Sequence, residues 1–400
     1  MASSAADVPT LEQLLARAAE LRPLIRARAQ QTEDARRVSA EVSEMLVDAG
    51  LYRVVQPRRF GGYEFSLDDL RRLVFEVGQG CASTAWCYSL GATNSWFVGM
   101  FSEEAQHDVW GNTPDALIAG SIAPTGTIRR VDGGFTIKGR WGFASNCDNA
   151  RWLTLGGMLD EGDGKPPYPT FLLVPDSQYT IIHNWNTVGL AGTGSKDVTI
   201  DAEVFVPGHR SVSFAQALNQ ETPGLAVNRN PMYRIPFLSG FPPMLANPAV
   251  TALRGAIDEF LETVAPRATR GAFTGSGSTL AQFGHVQSAL AEAEAAVDAA
   301  QLILGRDLRL AAELSERDDK VSVAQRIEFR RGHAYAVRLC VGAINDLYDV
   351  VGGTGISLNN GVQRAWRDIN AVAHHISVNW HAVSTMYGQM RLGLPPRGQY

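Results

Sequence analysis

The chain has 400 residues, of which 45% are hydrophobic and 19% charged, with a formal net charge of −5. That is apolar mass for two or three domains with cores of their own. No basic surface dominates, which argues against nucleic acid or an anionic membrane as the main partner.

The opening MASSAADVP lacks the basic and apolar regions of a signal peptide and reads as a short disordered tail. Thr10 and Gln13 then fit a capping box. Behind it Leu11, Leu14, Leu15, Ala18, Leu21, Leu24 and Ile25 recur at helical spacing. A second helix is predicted from about Asp34, with Val38, Val42, Met45 and Ala49 on one face and Gly50 as a left-handed C-cap. The run Pro57-Arg-Arg-Phe-Gly-Gly62 reads as a loop, and helical text resumes over 66–77, 83–101 and 102–110. Residues 1–116 are therefore expected to form a helical domain.

The texture changes near Leu117. Asp132-Gly133-Gly134 is a turn signal, and Phe135, Ile137, Gly139, Trp141 and Phe143 then alternate with other residues. Further β-prone runs cover 152–155, 170–174, 180–182 and 198–206. Residues 117–232 thus read as a small antiparallel barrel or sandwich. After about Arg234 helical text returns, with Asn247-Pro248 as an N-cap and first-turn pair. One stripe runs from Val250 to Val264, a second from Val286 to Leu308 and a third from Ile327 to Tyr348. Ile369, Val372, Ile376 and Val383 make a fourth. Residues 233–400 then form an antiparallel four-helix bundle, with 274–279 (TGSGST) as a mobile loop or linker. The fold class is mainly α with a central β domain.

Several chemistries are absent from the text. Neither GxGxxG after a strand, GxxxxGK[ST], HExxH nor GxSxG occurs. The cysteines Cys81, Cys87, Cys147 and Cys340 have no CxxC spacing and read as reduced thiols of a cytoplasmic protein. His374, His375 and His381 lack a carboxylate at helical spacing, so no metal site is expected. No apolar run reaches the roughly 20 residues that cross a bilayer.

The order helical, β, helical resembles the acyl-CoA dehydrogenase fold. Within it the chain is similar to the oxygenase components of two-component flavin-dependent monooxygenases, the group that includes 4-hydroxyphenylacetate hydroxylase and dibenzothiophene monooxygenase. The matching segments are Pro57-Arg-Arg-Phe-Gly-Gly62, Gly139-Arg-Trp-Gly-Phe-Ala-Ser145, Gly189-Leu-Ala-Gly-Thr-Gly-Ser-Lys196, Val206-Pro207 and Gln363-Arg-Ala-Trp-Arg-Asp368. The resemblance implies that reduced FMN or FADH2, delivered by a separate NAD(P)H:flavin reductase, lies between the β domain and the bundle. There it reacts with O2 through a C4a-hydroperoxide to oxygenate an aromatic small molecule. It implies Ser145 near flavin N5, Phe143 and Trp141 along the ring, and Thr193 and Ser195 at ring edges or phosphate. It implies His375 on a helix as the catalytic imidazole, able at an ordinary pKa to take or give a proton, and Arg234 as an active-site arginine. Gly352, Gly353 and Gly355 resemble a loop that lets a neighbouring subunit approach the cofactor, in a homotetramer. Trp86, Asn94, Trp96 and His374 are expected on the substrate side; some members of the family carry a substrate-side histidine on the helix around Asn94-Ser-Trp96, where this chain has Asn94. An acyl-CoA dehydrogenase-like dehydrogenase or oxidase is the alternative, weakened because no Asp or Glu occurs between Ile369 and Tyr400. A non-catalytic helical scaffold is the second.

Overall fold

The computed structural model of the protein describes residues 8–268 and 278–400. Most of the predicted opening tail and of the 274–279 run lies outside the described residues. Helix α1 (Leu11–Ala27) starts at the predicted capping box, Thr10 accepting from Gln13 N and Gln13 accepting from Thr10 N. The next helix does not run on from Asp34. It splits into α2 (Ala29–Ala35) and α3 (Ala40–Asp48), because Arg36 takes φ 53° and Ser39 caps a fresh start by accepting from Val42 N. Gly50 ends α3 at φ 76°, as expected, and a side chain there would meet the Tyr63 hydroxyl at 2.5 Å. Helices α4 (Leu67–Gly78), α5 (Ala82–Val98) and α6 (Glu103–Trp110) follow. Sixteen of the 17 residues of α5 are buried, so it runs as a central post, covered on every side.

Seven strands make one sheet: β1 (Ile118–Val131), β2 (Gly134–Ala144), β3 (Trp152–Asp160), β4 (Tyr168–Pro175), β5 (Thr180–Ile182), β6 (Lys196–Pro207) and β7 (Ser211–Ser213). Their order is β5-β6-β2-β1-β3-β4-β7. The pairing is mixed, not antiparallel throughout, since β3 runs parallel to β1 with Ile118 opposite Trp152. The reason is topological. The outer edge of β2 is taken by β6, so the chain must cross over residues 145–151 to the free side of β1. That crossover carries Ser145. Strand β2 is bulged twice, at 137/139 and 141/144.

A short α7 (Phe214–Asn219) leads to α8 (Phe237–Glu259), α9 (Gly284–Glu316), α10 (Val323–Asp349), α11 (Gly361–Ala373) and α12 (Trp380–Arg391). Asn247-Pro248 does not start a helix but lies mid-way along α8, and two partners from other helices make that possible. Pro248 leaves Met244 O without its helical donor, and the Ser89 hydroxyl supplies one at 2.7 Å. Asn247, fully buried, donates from Nδ2 to Arg71 O at 2.8 Å. The fourth predicted stripe is two helices rather than one. The chain turns over residues 374–379, and Ile376 is 70% exposed. No described helix is long and apolar enough to cross a membrane.

Candidate functional site

The second bulge of β2 puts Phe143 at φ 62°. A bulky residue in that region is strained and must be held there. Its ring stands out from the sheet, 73% exposed, with Trp185 edge-on at 5.9 Å. Two residues on, Ser145 turns inward. Its hydroxyl accepts from Trp86 Nε1 of α5 at 2.9 Å and lies 2.7 Å from Ser195 Oγ. Ser195 Oγ in turn lies 2.6 Å from Thr193 Oγ1, which donates to Leu190 O at 2.8 Å.

The direction of this chain follows from counting protons. Thr193 has one and gives it to Leu190 O, so Ser195 must donate to Thr193 and Ser145 to Ser195. An indole N–H can only donate. Ser145 is left with no free proton and one free lone pair. Thr193 and Ser195, 1% and 4% exposed, use their hydroxyl protons within this relay.

The histidine pair sits just past the end of α11, in a turn, not on the helix as predicted. Where that turn lands is set by a clamp. Asp368 accepts from Leu190 N at 2.6 Å, and Arg367 donates to Val188 O at 2.9 Å and pairs with Glu33. Burial pushes the Asp368 carboxyl up to about 6. Gly189 lies under this contact, and a Cβ there would meet Arg367 O at 2.2 Å. The loop that ends the hydroxyl relay is therefore the loop that registers α11. Sequence reading matched both motifs but missed that they bind each other.

His375 packs against Trp86, with ring centroids 5.8 Å apart and planes tilted by 60°. Its Nδ1 accepts from Ser377 N at 3.2 Å, so a neutral ring carries its proton on Nε2. Burial and then the charge of Arg330 draw its pKa down from 6.5 to about 4. With its pKa lowered, the half-buried ring is a neutral N–H donor at neutral pH. His374 is exposed, and its Nδ1 meets Asn370 O at 2.8 Å. Trp86 touches Ser145 with its N–H and His375 with its ring, so one indole spans the two groups.

The other expected site residues are spread over the sheet and the helices. Trp141 is fully buried in the core of the sheet, its Nε1 donating to Gly156 O at 2.6 Å and its ring filling the space over Gly126. It walls no pocket, because the bulge after it turns the chain's exposed face over to Phe143. Trp96 is core as well, donating to Met232 O at 2.9 Å and lying parallel to Phe237. Arg234 pairs with Asp318 near the start of the loop after α9 and has no contact with the Ser145 relay. Gly352, Gly353 and Gly355 lie in the turn between α10 and α11, the first two exposed and Gly355 buried against Val351 and Tyr348, with Ile356 beside them 78% exposed. Asn94 is buried with Nδ2 on Leu90 O at 2.9 Å and Oδ1 unpartnered, facing Gly120 of β1. Among the described residues no His, Cys, Asp and Glu cluster forms a metal site.

The residues fit a flat, N–H-bearing ring. Phe143, Val188 and Ile376, on the segments that flank the relay and the clamp, are 73%, 74% and 70% exposed. Bared apolar side chains on these segments suit contact with an aromatic guest.

Residues 244–380 match the family described as acyl-CoA dehydrogenase, C-terminal domain. The chain is 44% identical over 392 residues to the FADH(2)-dependent resorcinol hydroxylase, oxygenase component, of Rhizobium sp. (strain MTP-10005), spanning 97% of this chain and 96% of that protein. It is 30% identical over 391 residues to the p-hydroxyphenylacetate 3-hydroxylase, oxygenase component, of Acinetobacter baumannii, spanning 96% and 90%. The crystal structure of 3-HSA hydroxylase from Rhodococcus sp. RHA1 superposes with a TM-score of 0.90 at 34% identity, covering 96% of this chain and 98% of that one.

Proposed function

The chain belongs to the flavin-dependent monooxygenases as one of their oxygenase components, and from that membership we propose that it hydroxylates a small phenol beside a reduced flavin held between Ser145 and His375. The fold is that of the acyl-CoA dehydrogenases. The flavin, when bound, supplies the electrons that let O2 donate one atom to an aromatic ring. We take it to be FADH2, as in the resorcinol hydroxylase, delivered by a separate NAD(P)H:flavin reductase.

The chain's own part is to accept, donate and exclude. Ser145 offers its one free lone pair to an N–H, which suits N5–H of a reduced isoalloxazine; its proton is locked into the relay to Leu190 O. His375 offers Nε2–H to an oxygen atom, and being neutral it does so without bringing a second proton. Phe143 would lie against the bound ring and help keep water from the reacting atoms. Asn94, with its Oδ1 unpartnered, accepts from a hydroxyl of the substrate. A neutral amide there matches a phenol that stays protonated. Gly352, Gly353 and Gly355 stand at an apolar edge with Ile356 and Leu358, 78% and 64% exposed, which a second subunit of a homotetramer covers.

The observation that carries the reading is the single indole of Trp86 joining Ser145 to His375. Anaerobic mixing with chemically reduced FAD, then O2 and resorcinol, tests it. Hydroxylated product at wild-type level from His375→Ala, with no extra hydrogen peroxide, removes His375 from the reaction. Reduction of oxidised FAD by substrate alone would instead favour a dehydrogenase.

A further inference from the structure

Arg330 of α10 is 4% exposed and pairs with no carboxylate among the described residues. A guanidinium withdrawn from water without a counter-ion is expensive to keep. Burial alone draws its pKa down to about 10. Two of its nitrogens reach backbone carbonyls instead, while Nε has no partner among the described residues. Nη1 reaches Gln399 O at 2.8 Å, and Nη2 reaches Ser377 O at 3.2 Å.

Ser377 is also the residue whose N–H holds His375 Nδ1. It meets Arg330 with its carbonyl and His375 with its amide. The turn has one further internal bond, Val378 N to His375 O at 2.9 Å. Trp86 faces the imidazole from α5. His374 is not part of this arrangement, being exposed and bonded to its own helix. A buried, unpaired cation aimed at the turn that carries a reacting group is a pattern of functional sites rather than of stable cores.

We propose that Arg330 is a positioning residue for His375: it grips Ser377 O and so holds the turn in which Nδ1 is an acceptor, Nε2 carries the proton and the ring lies against Trp86. The inference rests on the role given to His375 above, but the geometry it explains is measurable without flavin.

The test uses the full chain as wild type, His375→Ala, Arg330→Met and Arg330→Lys. First, histidine-15N spectra are taken without flavin, the His375 signals being those lost in His375→Ala. Wild type shows the Nε2–H tautomer; Arg330→Met shows exchange between tautomers, and Arg330→Lys lies between. Second, thermal unfolding of Arg330→Met, which removes an unpaired buried charge but leaves Ser377 O and Gln399 O without their donor, gives the stability loss against which any loss of yield is compared. Third, resorcinol hydroxylated per reduced FAD consumed falls about tenfold in Arg330→Met, the low end for residues that support a reacting group, and recovers in part in Arg330→Lys. An unchanged tautomer and yield in Arg330→Met overturn the proposal. So does a loss of yield that only tracks lost stability, with the tautomer intact. If Arg330→Met does not fold, Arg330→Lys decides by its tautomer and yield. Full yield from His375→Ala would defeat the functional reading alone, leaving the tautomer measurement to judge Arg330.

Discussion

Ser145→Ala removes a hydroxyl that does two jobs in the buried relay. Trp86 Nε1 loses its acceptor and Ser195 Oγ loses its donor, both in a site where Ser145 is 6% and Ser195 4% exposed. An unsatisfied buried polar group costs about 1–3 kcal/mol. Ser195 can still donate to Thr193, so the indole N–H is the group left fully unpaired. The expected destabilisation is therefore about 1–3 kcal/mol, read as a lower denaturant midpoint with an unchanged slope. Function should fall by more than stability accounts for if, as proposed, the free lone pair receives a flavin N–H, because that lone pair is gone as well. The assay measures hydroxylated resorcinol and hydrogen peroxide together, per reduced FAD consumed. Ser195→Ala is the control. It leaves Ser145 accepting from Trp86 but frees its proton, so binding of reduced FAD should weaken less than in Ser145→Ala. If Ser145→Ala is destabilised as calculated yet forms product as wild type does, the hydroxyl is structural and the argument from proton direction fails. If Ser195→Ala is the worse of the two, the relay runs the other way.

Asp368→Asn keeps an oxygen for Leu190 N–H without burying a charge, so its stability at pH 7 should match or exceed wild type. Asp368→Ala orphans that N–H and should lose about 1–3 kcal/mol in denaturant titration; equal losses in both would show that the hydrogen bond is not the reason. Product yield should be flat between about pH 6 and 8, since His375 at about 4 stays neutral there; an inflection near 6.5 that vanishes in His375→Ala would contradict the neutral-donor role. Stability should respond to the two groups in opposite directions. His375, lowered from 6.5 to about 4, contributes stability that is complete above 6.5 and lost as pH falls toward 4. Asp368, raised from 3.8 to about 6, contributes stability that is complete below 3.8 and lost as pH rises through 6. Comparing pH–stability curves of Asp368→Asn and wild type isolates the second effect.

The helices that could be read from the text were those with a local start signal and one apolar stripe. Thr10 with Gln13, and Ser66 ahead of α4, cap their helices through contacts three residues away, which the chain carries wherever it folds. The same holds for Gly50 and for the Asp132-Gly133 turn, whose backbone angles are a property of the residue itself. Ser145 and His375 were singled out by motif and sit as neighbours of one indole. Asn247-Pro248 shows where local reading stops, for its cap chemistry is overruled by Ser89 and Arg71 more than 150 residues away. Trp141 and Trp96 carry the same composition as Trp86, and only packing makes two of them core and one a bridge. The lowered pKa of His375 likewise depends on burial and then on Arg330, neither of which the neighbouring residues in the chain supply. Caps, turns and stripes are interactions over three or four residues and can be read along the chain. Protonation, proton direction and the parallel β1–β3 pair depend on residues that meet only when distant segments share one dry interior.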